Sequence, residues 1–509
     1  MIARVLFAIV LAIALSVVCA WAGAATAFAP GTAQSPQAAI VVADGAVLRA
    51  APRDAAQQQA QFSQGELLEV RGERMDYLQV YDHRRERGGW VRTGLVRRTS
   101  LSAAEAPQLL AVLRFVRDTP GSEALGIGFA AAYLSAAPAE VLRGADGIEA
   151  FDALGTMADR LAHRASWGGS LPRPAQAALA SHLDVTARYG VGFKSFEHEG
   201  RVQVCYEGDA FRRVLAMEAA PAQKARAALA LTRPECVAPD LPPLERAQMD
   251  AWRAGVLDRV EPASLAPYLK NRIHIRRAAV WSTVAYQRAR AGIATADVAA
   301  QRAVAELAGV MRAELPDADQ AAFAEAAMRA NASRWAAVSA TSATLAASPR
   351  DPAIVTVPGQ PGETCVLLVD AKNGASRPLA RRCTYAVVWP QSATLNREGN
   401  ALALAVQPMA AWRELWVFRR QGASWTVSVL PPGAGDPEIG YAEFAGWVPG
   451  GERMLVAREA RAQGKTRRSY EMVRLDSLAV ERGAADPAHF AAFRRWQDPA
   501  WKRMTVSLR

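Results

Sequence analysis

The chain has 509 residues, 51% of them hydrophobic, with a formal net charge of +11 and a mean hydropathy of -0.01. That length exceeds what one hydrophobic core supports and predicts two to four domains. The apolar content excludes a disordered chain. The surplus charge comes from 60 Lys and Arg, only six of them Lys. A solvated basic surface accounts for it without any ligand; with one, it favours anionic groups.

In chain order, Arg4 precedes the apolar run Val5 to Val18 and the small-residue stretch "CAWAGAATAFAP". This is the pattern of a signal peptide over residues 1–27, cut after Ala25-Thr26-Ala27, with a linker over 28–39. An uncleaved membrane anchor is the second reading. Ser16-Val17-Val18 before Cys19 lacks the Leu of a lipoprotein signal. No later segment reaches the roughly 18 to 20 apolar residues of a spanning helix. The expected location is periplasmic or secreted, which removes nucleic acid from the expected partners and leaves acidic proteins, wall polymers or an anionic membrane surface.

Residues 40–98 read as short strands: "AIVVADGAVLRAAP", "GELLEVRGERMDYLQVYD" and "GGWVRTGLVRR" alternate apolar and polar positions between turn signals. The succession "AVLRAAP", a strand led by Gly65, "DYLQVYD" and "GGWV" resembles the bacterial SH3-like (SH3b) domain. Ala50-Ala51 stands where that family commonly has Ser-Gly, and Tyr77 where it commonly has Trp. The resemblance implies a small β-barrel that binds wall peptides or proteins without catalysis. Tyr77, Tyr81 and Trp90 would then line a peptide groove, with Arg84, Arg85 and Arg87 drawing acidic groups to its rim. For Trp90 the favoured reading is a half-buried packing residue of the Gly-Trp-Val strand.

Residues 99–347 are expected to form an all-helical middle domain of eight to ten helices. Ser102-Ala103-Ala104-Glu105 has the spacing of a capping box. Pro174, Pro221, Pro243 and Pro262 mark helix starts, and Pro120 and Pro316 mark stops. Ala278, Trp281, Val284 and Ala285 form one apolar stripe. One β-hairpin interrupts, near 189–207, turning at His198 to Gly200. It gathers Glu197, His198, Glu199, Glu207 and Asp209, a set able to act as acid and base. The same residues suit a polar hairpin tip, and no His-Glu-x-x-His spacing supports a metal. His274 falls on a helix among arginines and reads as a packing or solvent-facing residue. No nucleophile elbow, phosphate loop or dinucleotide fingerprint is present, so neither a cofactor nor a metal is expected.

Beyond the small-residue stretch "ATSATLAASPRDPA", residues 348–509 alternate as strands and hold seven of the thirteen Trp. Cys365 and Cys383 average to position 374, the Gly of Asn373-Gly374. A hairpin centred there sets the two cysteines opposite each other, close enough for a disulfide. Cys205 and Cys236 then pair by elimination, although four cysteines allow three pairings. "LNREGNALALAV" (395–406) also aligns with "WVPGGERMLVAR" (447–458), and "RELWVFRR" with "RSYEMVRL". Trp447-x-Pro449-x-Gly451 resembles the turn of β-propeller blades in periplasmic Tol-system proteins. Two and a half such units cannot close a propeller, so an open sandwich is favoured over a propeller completed by the helical region.

The fold class expected is therefore multidomain α+β: an SH3-like β-barrel, a helical domain with one hairpin, and an antiparallel β domain, partial propeller-like or sandwich. Two functions of different class are consistent with it. The first is an exported, non-catalytic envelope interaction protein that binds a protein partner or a peptidoglycan peptide. The second is an envelope hydrolase acting on wall material through Glu197, His198, Glu207 and Asp209.

Overall fold

The computed structural model describes residues 37–198, 200–338, 351–434, 438–462 and 464–504. The expected signal peptide and most of the linkers at 28–39 and 340–353 lie outside them. The described chain is mixed α/β, with 13 α-helices and several antiparallel sheets. None of its helices is long and apolar enough to cross a membrane. It divides into two compact units: one runs to Met157 and includes Ser170–Gly190, and the other comprises Ala158–Gly169 and Val191 onward.

In the first unit, β1 (Ala38–Val41), β2 (Ala46–Arg49), β3 (Gln58–Phe62), β4 (Leu67–Arg74), β5 (Tyr77–Asp82), β6 (Arg87–Arg92) and β7 (Val96–Thr99) form one sheet in the order β3-β2-β6-β5-β4-β1-β7. The alternation seen in the sequence sends Ala39, Val41, Leu48, Phe62, Leu68, Leu78, Val80 and Val91 into one buried cluster. The expected barrel is not formed. The sheet is open, because the edge strands β3 and β7 each pair with one neighbour and not with each other.

Helices Glu123–Ala136 and Arg173–Ala187 belong to this unit. Gly65 is left-handed, with φ +89°, and any side chain there would overlap the Ala124 carbonyl. A Cβ on Gly128 would lie 2.8 Å from the Gly65 oxygen. Two glycines therefore let a helix touch the turn before β4 directly. Tyr189 Oη donates to the same Gly65 carbonyl. Ser102 does not cap a helix: its hydroxyl lies 2.7 Å from that of Ser100, and the helix Ala106–Arg117 follows a 3₁₀ turn.

The second unit begins with the hairpin β8 (Phe193–His198) and β9 (Arg201–Tyr206), paired from Phe193↔Tyr206 to His198↔Arg201. Helices follow at Asp209–Ala216, Pro221–Leu231, Pro243–Asp258, Pro267–Arg290, Ala296–Ala308 and Asp317–Ser333. Proline opens three of them, where its missing N–H costs nothing. Pro262 instead opens a 3₁₀ turn, and Pro316 is the residue before a helix as well as a stop.

The strands that follow stack in layers. β10 (Ala353–Pro358), β11 (Thr364–Val369) and β12 (Ala380–Thr384) make a three-stranded sheet. β13 (Val387–Leu395), β14 (Ala401–Met409), β15 (Trp412–Gln421) and β16 (Ser424–Leu430) make one meander, and β17 (Ile439–Val448), β18 (Arg453–Ala462), β19 (Lys465–Arg474) and β20 (Val480–Ala484) a second. A short parallel pairing, Trp412↔Gly440 and Arg413↔Tyr441, joins the two.

Period-2 alternation assigns the faces. Leu402, Leu404, Trp416 and Phe418 pack against Val366 and Leu368 of the first sheet. Ala401, Ala403, Leu415 and Val417 pack against Phe444, Met454, Val456 and Val473 of the second meander. Tyr441, Leu455, Ala457 and Tyr470 on its far face are covered by Met328, Ala332, Phe490, Phe493 and Trp501 from helical segments. Residues 52 apart thus do the same job: 402 and 404 face the preceding layer, and so do 454 and 456.

One ionic cluster fixes the helical cover to the sheet. Arg413 is fully buried, Glu443 is 2% exposed and Arg334 5% exposed. Arg334 Nη2 lies 2.8 Å from Glu443 Oε1, and Arg413 donates to Glu443 Oε2 and to the carbonyls of Asn331 and Ala332 at the helix end. Burial pushes Arg413 down to about 10, so it stays charged at neutral pH.

Candidate functional site

The aromatic residues proposed for a groove share one side of the first sheet. Tyr77, Gln79 and Tyr81 alternate with the core residues Leu78 and Val80, and Trp90 is the cross-strand partner of Gln79. Their partners come from the chain itself. Tyr77 is buried; its hydroxyl donates to Asp54 Oδ1 at 2.6 Å, and Arg92 lies 5.4 Å over its ring while pairing with Asp54. Arg92 first, and then Tyr77, hold the Asp54 carboxyl down at about 2. Tyr81 carries Arg71 at 3.8 Å over its ring, and Arg71 donates to Glu69, which is also 2.6 Å from His83. Trp90 is half-buried.

The three arginines assigned to the rim are dispersed. Arg85 bridges the buried carboxylates of Glu66 at 2.9 Å and Asp82 at 2.6 Å. Arg84 pairs with Asp184 at 2.9 Å, and Arg87 donates to the Gln59 carbonyl at 2.7 Å. Arg188 adds a second cation to Glu66, also at 2.9 Å. The charges of Arg84 and Arg85 are met by carboxylates of the same unit, whereas Arg87 has a backbone carbonyl.

The hairpin carboxylates do not converge. Glu197 is exposed and sits one pair from the tip, opposite Val202, whereas Glu207 follows the strand at the base. Five residues of extended strand separate these levels, about 17 Å. Glu207 lies 3.7 Å from Lys194, and Asp209 pairs with Arg212 at 2.7 Å. Glu199 lies outside the described residues, as does the side chain of His198. His274 Nδ1 lies 2.7 Å from Glu306, which Arg277 and Arg302 also approach, so it belongs to a helix-to-helix ion cluster.

Both cysteine pairs are joined. Cys365 and Cys383 are direct cross-strand partners on β11 and β12, with Cα atoms 3.8 Å apart, and Cys205 and Cys236 have Cα atoms 5.7 Å apart. Register is centred on Gly374, but the connection is a wide loop, in which Asp370 accepts from the backbone of Lys372 and Asn373. Glu363 approaches the two sulfurs of this pair. Those sulfurs are consumed in the disulfide and offer a cation no thiolate.

A cleft lined by four arginines lies where the repeated turns meet. It has a volume of about 360 Å³ and is lined by Arg419, Arg420, Arg453, Arg474, Glu452 and Asp476, among others. The ends of β15 and β19 and the start of β18 place these side chains. Gly451, at φ +71°, packs its Cα against Glu398 of the equivalent turn, so the two turns touch. Arg474 is paired with Asp476, and Arg453 with Glu481 at 2.6 Å. Arg419 donates to the Leu475 and Asp476 carbonyls, and Arg420 to the Gly422 carbonyl at 3.1 Å. Among the described residues neither Arg419 nor Arg420 has a carboxylate partner.

Sequence reasoning missed this cleft although its signal was on hand. In the repeat alignment Arg419 matches Arg474, and Asn400 matches Glu452; all four line the cleft. Read for architecture alone, the repeat said nothing about ligands; read for charge, it brings equivalent strand ends together. No family model, curated protein or solved structure matches the chain.

Proposed function

We propose that the protein is an exported, non-catalytic interaction protein of the cell envelope, holding an acidic protein partner or a carboxylate-bearing peptidoglycan peptide at the arginine-lined end of its two meanders. In this reading residues 40–98 are an SH3-like module, the meanders are blade-like modules, and residues 1–27 are removed on export. The observation that carries it is the pair Arg419 and Arg420, two guanidiniums in a cleft with no carboxylate partner among the described residues. Arginine presents a planar fork matched to carboxylates, and its charge does not titrate away. The two disulfides suit an oxidising compartment.

The non-catalytic part rests on the carboxylates. Asp476 is held well below the usual range by Arg474 and then by Ser477, so it accepts hydrogen bonds and donates no proton at neutral pH. Glu197 and Glu207 stand at opposite ends of their hairpin. Among the described residues neither place offers a paired acid and base.

The test uses the mature full chain and its Arg419→Ala/Arg420→Ala variant against purified sacculi, solubilised envelope proteins and anionic phospholipid vesicles. The wild type is expected to bind sacculi or one envelope protein, salt-sensitively, and the double variant at least tenfold more weakly. Equal binding by both proteins overturns the assignment of the cleft. Binding to vesicles alone overturns the protein-or-peptide partner in favour of a peripheral membrane contact.

A further inference from the structure

A second cleft, of about 120 Å³, lies within the same unit between the hairpin β8–β9 and helix Pro243–Asp258. Its apolar wall includes Phe196, Met249 and Trp252, and Arg233 and Glu207 also line it. Trp252 is 41% exposed, an unusual position for so large an apolar surface, while Arg233 is only 9% exposed.

Arg233 is incompletely used. Its Nη1 donates to Asp159 at 2.6 Å and its Nε to Glu235 at 3.0 Å. Its Nη2 is buried without a hydrogen-bond partner. A buried guanidinium N–H left unpaired is costly, and such a group is satisfied by water or by a ligand. Further cations surround it. Arg253, also on the lining, donates to the Thr232 carbonyl and to Asp250. Arg276 is pushed down to about 10 by burial first and then by Arg253, with Arg233 adding to the shift.

The loop that carries Arg233 is held by covalent means. Cys236, three residues on, is bonded to Cys205 on β9, and both cysteines line the cleft. The disulfide therefore fixes the guanidinium against the wall before any ligand arrives, which lowers the ordering cost of binding.

We propose that this cleft binds a small monocarboxylate with an apolar or aromatic body, the carboxylate on Arg233 Nη2 and the body against Phe196, Met249 and Trp252. Lys194 and Arg212 also line the cleft, but Lys194 lies 3.7 Å from Glu207 and Arg212 pairs with Asp209 at 2.7 Å, which leaves Arg233 Nη2 as the buried donor without a partner and suits a monoanion. A dianion such as phosphate would meet Glu207 on the same lining and Glu235 and Asp159 behind the guanidinium. A neutral apolar molecule would leave Nη2 unpaired. The site is separate from the Arg419 cleft, and its existence does not depend on the envelope partner.

Calorimetry and ligand-observed NMR on the oxidised mature chain test it with four probes: phenylacetate, N-acetylphenylalanine, 2-phenylethanol and inorganic phosphate. Either carboxylate is expected to bind at least tenfold more tightly than the alcohol or phosphate. Arg233→Lys, which keeps the charge but removes Nη2, and Trp252→Ala should each weaken it at least fivefold. Arg419→Ala/Arg420→Ala should leave it unchanged, so this site and the envelope-partner cleft fail separately. If Arg233→Lys does not fold, Trp252→Ala decides alone, because its side chain is partly exposed. Failure of both carboxylates to bind the folded protein, equal binding of alcohol and carboxylate, or full affinity in Trp252→Ala overturns the proposal and leaves ordered water as the occupant.

Discussion

The seven-stranded sheet and the paired meanders are both rich in arginine, yet they dispose of the charge differently. On the first sheet most arginines around the aromatic face have a carboxylate from the chain: Arg92 has Asp54, Arg71 has Glu69, Arg85 has Glu66 and Asp82, and Arg84 has Asp184, while Arg49 and Arg87 donate to the Ala56 and Gln59 carbonyls. At the turn end of the meanders, Arg419 and Arg420 donate to backbone carbonyls and have no carboxylate partner among the described residues. A count of basic residues does not separate these cases. What separates them is whether a carboxylate has been placed within reach, because a paired guanidinium has little attraction left for a visitor.

The sharpest test of self-pairing is its most buried example. Glu443→Gln leaves Arg413 and Arg334 buried around a neutral amide, and removing one partner of a buried pair costs about 3–5 kcal/mol. The expected outcome is a cooperative loss of thermal stability, read by calorimetry, with the release of helix Asp317–Ser333 visible in hydrogen exchange. The matched change on the exposed network, Glu69→Gln, should hardly move the transition. Similar effects from both would mean that burial does not distinguish them.

The two disulfides offer a smaller contrast within one unit. Cys365–Cys383 links strands already in register and encloses a separation of 18, whereas Cys205–Cys236 encloses 31 and ties a loop to a strand. Each should contribute about 2–4 kcal/mol, rising slowly with loop length. Cys236→Ser is therefore expected to lower the denaturation midpoint more than Cys383→Ser, and it alone should expose the Arg233 loop to proteolysis. The reverse order would show that strand pairing at Cys365 depends on its bond.

Partner capture compares the two regions directly. Tyr81→Ala removes an aromatic ring already covered by Arg71, so it should change capture less than twofold, against the tenfold loss for Arg419→Ala/Arg420→Ala. A dominant Tyr81 effect would return the binding site to the aromatic face of the first sheet.

What the sequence disclosed was periodic or local. Strand alternation named the core positions of the first sheet, the midpoint of Cys365 and Cys383 gave the register of β11 with β12, and prolines marked helix starts at 221 and 243. The alignment at an offset of 52 matches Leu402 and Leu404 to Met454 and Val456, which in the structure are buried in successive clusters. What it hid was contact between distant residues. Gly65 and Gly128 read as ordinary glycines until a helix is laid on a turn. Nothing local says that Arg413 and Glu443, 30 residues apart, meet in a core. The open sheet was missed for the same reason, because closure depends on whether β3 meets β7. Arg233 was passed over because its loop reaches the hairpin only through Cys236.

The smallest effect concerns the carboxylate that covers Tyr77. Asp54 is exposed, and Arg92 and Tyr77 bring it from the usual carboxylate range near 3.8 to about 2 in the folded protein. A group whose folded pKa is depressed adds stability above its unfolded pKa, and that stability is lost as pH falls through the folded value. The Asp54 contribution should therefore be complete at pH 5 and fade between about pH 4 and pH 2. The carboxyl resonance of Asp54, followed by NMR, is expected to titrate near the lower end of that window. Arg92→Ala should return it toward an ordinary carboxylate while the sheet stays folded, since Tyr77 keeps one hydrogen bond to it. An unshifted Asp54 in the wild type would mean that loop 50–57 does not rest on Tyr77. The ring would then be open to a ligand, and the contrast between a self-paired sheet and an unpaired cleft would fail at its first example.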